Sequence, residues 1–231
     1  MNLEINNLAL RTLRIEQTVY YAVQEPDSPV ENEVDLLLVL HGYGQQADKF
    51  IQTFAPLKQR NLIVVAPQAP NQFYLKLHPK IIGSTWLTSF ERDQAISDFH
   101  DYMQRLFVRL QEEMKFNVQR IFMLGFSQGV SMAYRLLVSQ RIPVAGLIAC
   151  SADIPPDVVE QLENFDHVPI LLVHGNDDSI VPRTECDKAE KMLRSKGFQT
   201  EKFTFPGGHV IPNFVVEKVY TWCSTREDNH F

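Results

Sequence analysis

Apolar residues are distributed along the chain in two alternating signatures. Short continuous apolar runs at residues 35–40, 62–66, 120–124, 144–150 and 169–173 have the length and composition of strands covered on both faces. Between them lie segments with helical spacing, at 45–60 (apolar Phe50, Ile51, Phe54 and Leu57), 90–114, 128–140, 184–196 and 210–223, with one further strand at 200–205. Strand-then-helix order repeated in this way predicts an α/β fold: a mostly parallel central sheet with helices on both faces. Residues 3–24 instead alternate polar and apolar positions, most clearly from Thr18 to Val23, which predicts an antiparallel N-terminal edge before the turn at 25–29.

Residues 71–89 fit neither signature. Phe73, Tyr74, Leu75, Trp86 and Leu87 are interspersed with Pro79 and Gly83, too irregular for a regular element and too apolar for a plain solvent loop. The segment is expected to form a cap over the functional site, with Trp86 as a substrate-binding residue; the alternative is a connection packed flat on the core.

Composition narrows the class. No linker-like or low-complexity tract divides the 231 residues, so one α/β domain is expected, and 45% hydrophobic with 22% charged residues is ordinary globular usage. A net charge of -6 offers no electrostatic footprint for nucleic acid or an anionic membrane. The N-terminus lacks the basic and apolar regions of a signal peptide, and no stretch is apolar for long enough to span a bilayer, so no stable membrane insertion is expected. Cys150, Cys186 and Cys223 form neither a disulfide framework nor a metal-ligand pattern, which predicts a cytoplasmic protein without a metal site.

The strongest chemical signal is Gly125-Phe126-Ser127-Gln128-Gly129, a GxSxG sequence set between a strand and a helix. A serine there sits on a cramped bend that pushes its hydroxyl into open space, and flanking glycines remove side chains that would clash. A serine hydroxyl needs a base, and the base a carboxylate. His167, His174, His209 and His230 follow Ser127, and His209 stands in a glycine-rich loop between a late strand and the last helix, where an imidazole can overhang the sheet edge. The acid is expected in the loop after residues 169–173, where spacing leaves Asp177 and Asp178 open; Asp153, in the loop after the preceding strand, is a third choice. Backbone N–H groups of Gln128 and of the His41-Gly42-Tyr43-Gly44 loop, with Tyr43 the favoured donor, are candidates for an oxyanion hole; His41 reads as structural.

Taken together, His41-Gly42-Tyr43-Gly44, Gly125-Phe126-Ser127-Gln128-Gly129, His174-Gly175-x-x-Asp178-x-x-Val181-Pro182 and Gly208-His209 resemble the phospholipase/carboxylesterase family of α/β-hydrolases, which includes the acyl-protein thioesterases. The resemblance implies Ser127 as nucleophile, Asp178 as acid, His209 as base, and Tyr43 and Gln128 as oxyanion donors. It implies a hydrolase of carboxylic esters, including thioesters and lysophospholipids, acting on a small-molecule or lipid-like acyl substrate without a cofactor. A peptidase or amidase on the same scaffold and a non-catalytic binding module are the alternatives.

Overall fold

The computed structural model describes residues 11–30 and 34–226, so residues 3–10 of the expected edge and His230 lie outside the described part. The strands are β1 (Tyr21–Gln24), β2 (Asp35–Leu40) and β3 (Leu62–Pro67), then, beyond a hairpin of β4 (Asn71–Lys76) and β5 (Ile81–Thr85), β6 (Ile121–Phe126), β7 (Gly146–Cys150), β8 (Ile170–Gly175) and β9 (Thr200–Phe205), with the five apolar runs in β2, β3, β6, β7 and β8. Seven of them join in the order β1-β3-β2-β6-β7-β8-β9. β1 is antiparallel to β3, and every other pairing in this sheet is parallel. This is the α/β-hydrolase-like arrangement, with the antiparallel edge where the alternating N-terminal pattern put it.

The pleat sends alternate residues of β2 to opposite faces. Leu36, Leu38 and Leu40 join the core layer on the face covered by α2 (Arg92–Glu113), α3 (Gln128–Ser139) and α4 (Arg183–Ser195). Leu37 and Val39 meet α1 (Ala47–Phe50) and α5 (Asn213–Ser224) on the other. Each fully buried Leu, Val or Phe in these layers contributes about 1.5–3 kcal/mol of transfer free energy. Among the described residues no helix is long and apolar enough to cross a membrane.

Two segments depart from the sequence pattern. The helix expected at 45–60 is a single α turn, α1, continued as a 3-10 helix over Ile51–Gln59 that contains Pro56. Proline donates no backbone hydrogen bond and crowds the preceding turn, so the tighter winding prevails while Phe54 and Leu57 stay buried. Residues 71–85, read as irregular, are an antiparallel hairpin whose register shifts between Tyr74 and Lys76.

The sheet order fixes where the functional loops meet. The strand order reverses about β2: the connection to β3 runs to one side of it, and β6 lies on the other with Leu40 opposite Gly125. A reversal of this kind opens a crevice at the C-terminal ends of the two strands. β8 and β9 end together, with Gly175 opposite Phe205.

Candidate active site

Ser127 sits between the last residue of β6 and the first of α3 with φ 52° and ψ -120°, a conformation that costs a non-glycine residue about 1–3 kcal/mol. Its neighbours hold it there. Ser127 N–H donates to the Cys150 carbonyl and Val130 N–H to the Ser127 carbonyl, each at 2.9 Å. The two glycines of the motif are required by close approach: a Cβ on Gly129 would lie 2.0 Å from the Leu40 carbonyl oxygen, and one on Gly125 2.5 Å from the Val130 nitrogen.

At the ends of β8 and β9, Asn176 N–H donates to the Phe205 carbonyl at 2.8 Å and Asp177 N–H to the Gly207 carbonyl at 2.9 Å, which laces the two loops together. Asp178 is thereby turned inward, its side chain fully buried. One carboxylate oxygen accepts the N–H groups of Ile180 and Val181, both at 2.9 Å. The other stands 2.8 Å from His209 Nδ1. Burial pushes the Asp178 carboxyl upward, but the hydrogen bonds from Val181, His209 and Ile180 outweigh it and hold the group below the usual carboxylate range. A carboxylate accepts only, so Nδ1 carries the proton and Nε2 of neutral His209 is left basic.

The His209 ring also packs on Phe126, the residue before Ser127, with ring centroids 4.8 Å apart. Ser127 Oγ and His209 are not hydrogen-bonded to each other in this structure. The remaining acids and histidines are placed differently. Asp177, Asp153 and His167 are exposed, and His174 is buried with Nε2 at 2.9 Å from the Val181 carbonyl and 3.6 Å from Asp178.

The His41–Gly44 loop leaves β2 beside the nucleophile: a Cβ on Gly42 would lie 3.2 Å from the Ser127 Cβ. Gly42 N–H donates to Gln45 Oε1 at 2.7 Å, and Gly44 N–H to the Ser84 carbonyl of the hairpin at 2.8 Å. Among the described residues no acceptor takes the Tyr43 N–H, and the Gln128 N–H, first of α3, is likewise open. A helix N-terminus leaves such a donor free at Gln128.

Trp86 requires a correction. It is only 1% exposed, its ring tilted against His41 with centroids 5.0 Å apart and edge-on to Phe99, so it lies beneath the loop rather than against a substrate. Its indole N–H is satisfied by the His41 carbonyl at 2.8 Å, which accounts for the burial of a polar aromatic. The sequence reading also missed the Gln128 side chain, whose amide bonds Thr85 Oγ1, Trp86 N and the Leu87 carbonyl.

With this geometry in hand, comparison with known proteins is decisive at the level of family. A family model described as Phospholipase/Carboxylesterase matches residues 19–226. The chain belongs to the phospholipase/carboxylesterase family. This family membership places it among hydrolases of the esterase and thioesterase type. Acyl-protein thioesterase 1 homolog 1 of Dictyostelium discoideum is 26% identical over 183 residues, covering 73% of this chain and 80% of that protein. MhqD of Bacillus subtilis is 24% identical over 194 residues, 81% of this chain and 92% of the relative. Among solved structures, esterase PE8 superposes with a TM-score of 0.73 at 22% identity, over 91% of this chain and all of that one. Acyl-protein thioesterase 2 of Zea mays gives 0.65 at 17% identity, over 89% of this chain and 97% of that one. These two structures are likenesses of fold. Among the described residues of this phospholipase/carboxylesterase chain, no group of three or more His, Cys, Asp or Glu side chains could hold a metal ion.

Proposed function

We propose that the protein is a serine hydrolase of carboxylic esters, acting through Ser127, His209 and Asp178 by an acyl-enzyme. The observation that carries this reading is the 2.8 Å contact of His209 Nδ1 with the buried Asp178 carboxylate, on the same sheet edge as a serine held in a strained bend. Nε2 of His209 takes the Ser127 proton as Oγ attacks the ester carbonyl, and the N–H groups of Tyr43 and Gln128 receive the oxyanion. The imidazolium then protonates the leaving alcohol or thiol, and water repeats the sequence on the acyl-enzyme. The chemistry calls on no metal or organic cofactor.

For the substrate we favour a small-molecule or lipid-like acyl ester. Its support is the apolar ground beside the oxyanion loop: the Phe73 ring packs at 4.9 Å on Tyr43, and Tyr74, Leu75, Leu77, Ile81 and Ile82 of the hairpin are exposed. On this reading residues 71–89 act as a cap on a single domain. Three buried free thiols accord with a reducing cytoplasm.

The test is Ser127→Ala with a short p-nitrophenyl ester. We expect turnover to fall by more than about 10⁵-fold with circular dichroism unchanged. Undiminished hydrolysis by that variant refutes the assignment.

A further inference from the structure

The buried histidine beneath the oxyanion loop is left without a role by the reaction just described. His41 is 0% exposed and far too enclosed to meet substrate. Its two nitrogens have partners of opposite kind. Ala69 N–H, a donor only, points at Nε2 from 3.1 Å, so Nε2 must be bare. The Gly42 carbonyl oxygen, an acceptor only, lies 2.8 Å from Nδ1, so Nδ1 must carry the proton. Burial favours the same uncharged ring, lowering its affinity for a second proton.

The Gly42 carbonyl belongs to the peptide whose other end is the Tyr43 N–H. That peptide is trans, so its N–H points opposite to its C=O. Holding the carbonyl inward with the His41 ring, helped by the Gln45 N–H at 3.2 Å, therefore turns the Tyr43 N–H outward. The preceding peptide is held as well, because Trp86 Nε1–H donates to the His41 carbonyl at 2.8 Å. Trp86 N–H in turn donates to Gln128 Oε1 at 3.1 Å. One buried chain of hydrogen bonds thus runs from the residue carrying one oxyanion donor to the peptide carrying the other.

We propose that His41, seated on Trp86, is a positioning residue that fixes the Gly42–Tyr43 peptide so that the Tyr43 N–H is aimed at the oxyanion before substrate arrives. The inference rests on the serine-hydrolase reading above and assigns the two buried rings to the transition state rather than to substrate binding. Removing the pin lets the peptide rotate, which costs stabilisation where charge develops and leaves ground-state binding intact.

Three variants test it. His41→Leu deletes the ring's donor, His41→Asn keeps an N–H near the place of Nδ1, and Trp86→Phe keeps an aromatic ring while deleting the indole N–H. For each we would measure kcat and KM on p-nitrophenyl acetate, the inhibition constant of phenylboronic acid, whose tetrahedral serine adduct presents an oxygen to the same donors, and the melting temperature. Loss of an aimed donor predicts kcat down by about 10- to 100-fold in His41→Leu, with KM within about twofold and boronate binding weakened in parallel. His41→Asn should recover most of that loss, and Trp86→Phe should show a smaller fall of the same kind.

If His41→Leu does not fold, the other two variants carry the test through the same parallel between kcat and boronate affinity. Unchanged boronate affinity, or a fall in kcat that His41→Asn does not relieve, overturns the positioning role while wild-type turnover keeps the hydrolase reading standing. Wild-type protein with neither turnover nor boronate binding overturns both.

Discussion

Asp178 shows how much a single side chain does at this site. Both of its oxygens are taken up inside the protein, one by two backbone N–H groups and one by His209. Asp178→Asn preserves size and can still accept the Ile180 and Val181 N–H groups, but it turns an NH₂ toward His209 Nδ1 and forces the proton to Nε2. The ring then cannot accept the serine proton, and kcat is expected to fall by about 10³- to 10⁴-fold with the fold retained, as measured by ester turnover and circular dichroism. Ser127, Asp178 and His209 can be named from sequence because a tight turn, a strand-end loop and a glycine-rich loop leave local marks. The family resemblance singled out Asp178 from Asp177, and the structure separates the two physically: one is buried on His209, the other exposed. The pins behind the oxyanion loop leave no such mark. Trp86 reaches His41 across 45 positions of chain, and an isolated aromatic in an irregular stretch looks the same whether it faces substrate or lies under a loop.

At the scale of elements, the site depends on how closely α3 approaches the end of β2. Gly129 is the point of contact, and a methyl group there would collide with the Leu40 carbonyl oxygen at 2.0 Å. Gly129→Ala must push the helix from the strand or tilt the elbow. We expect a loss of about 3 kcal/mol in urea unfolding and, in whatever remains folded, a larger loss of turnover than of stability. The central parallel strands β3, β6, β7 and β8 are legible because both faces are covered and their residues are apolar almost throughout. The hairpin is not, for the reverse reason. Along β4 only Phe73 is even partly buried, so no alternation of apolar and polar positions records the pairing, and the register shift near Tyr74 blurs it further. The 3-10 winding at Ile51–Gln59 was equally hidden, because Phe54 and Leu57 keep a spacing that either kind of helix can present to the core.

Across the whole molecule, an ion pair away from the crevice ties the layers on one face together. Arg135 of α3, its side chain 2% exposed, makes a two-pronged bond to Asp157 at 2.8 and 2.7 Å, and Arg92 at the start of α2 reaches the same carboxylate at 3.1 Å. The hydrogen bond from Arg135 pulls the Asp157 carboxyl down to about 2. A depressed carboxyl of this sort stabilises the folded state fully above its unfolded value near 4, and the contribution is lost as pH falls through about 2. Asp157→Asn should therefore cost about 2 kcal/mol at neutral pH, below the ~3–5 kcal/mol of a fully enclosed pair because Asp157 is partly solvated. In urea titrations at a series of pH values, the gap between variant and wild type should close between about pH 4 and pH 2.

The hairpin, finally, pairs with no strand of the seven-stranded sheet and is fastened to the reaction centre through a few contacts such as the Gly44 N–H bond to Ser84. It is an awning bolted to a finished building. On the proposed reading of the hairpin as a cap, its outer residues could be rewritten, lengthened or trimmed in descendants of this gene without renegotiating the masonry underneath, and preference for one guest over another would drift while the reaction itself stayed put.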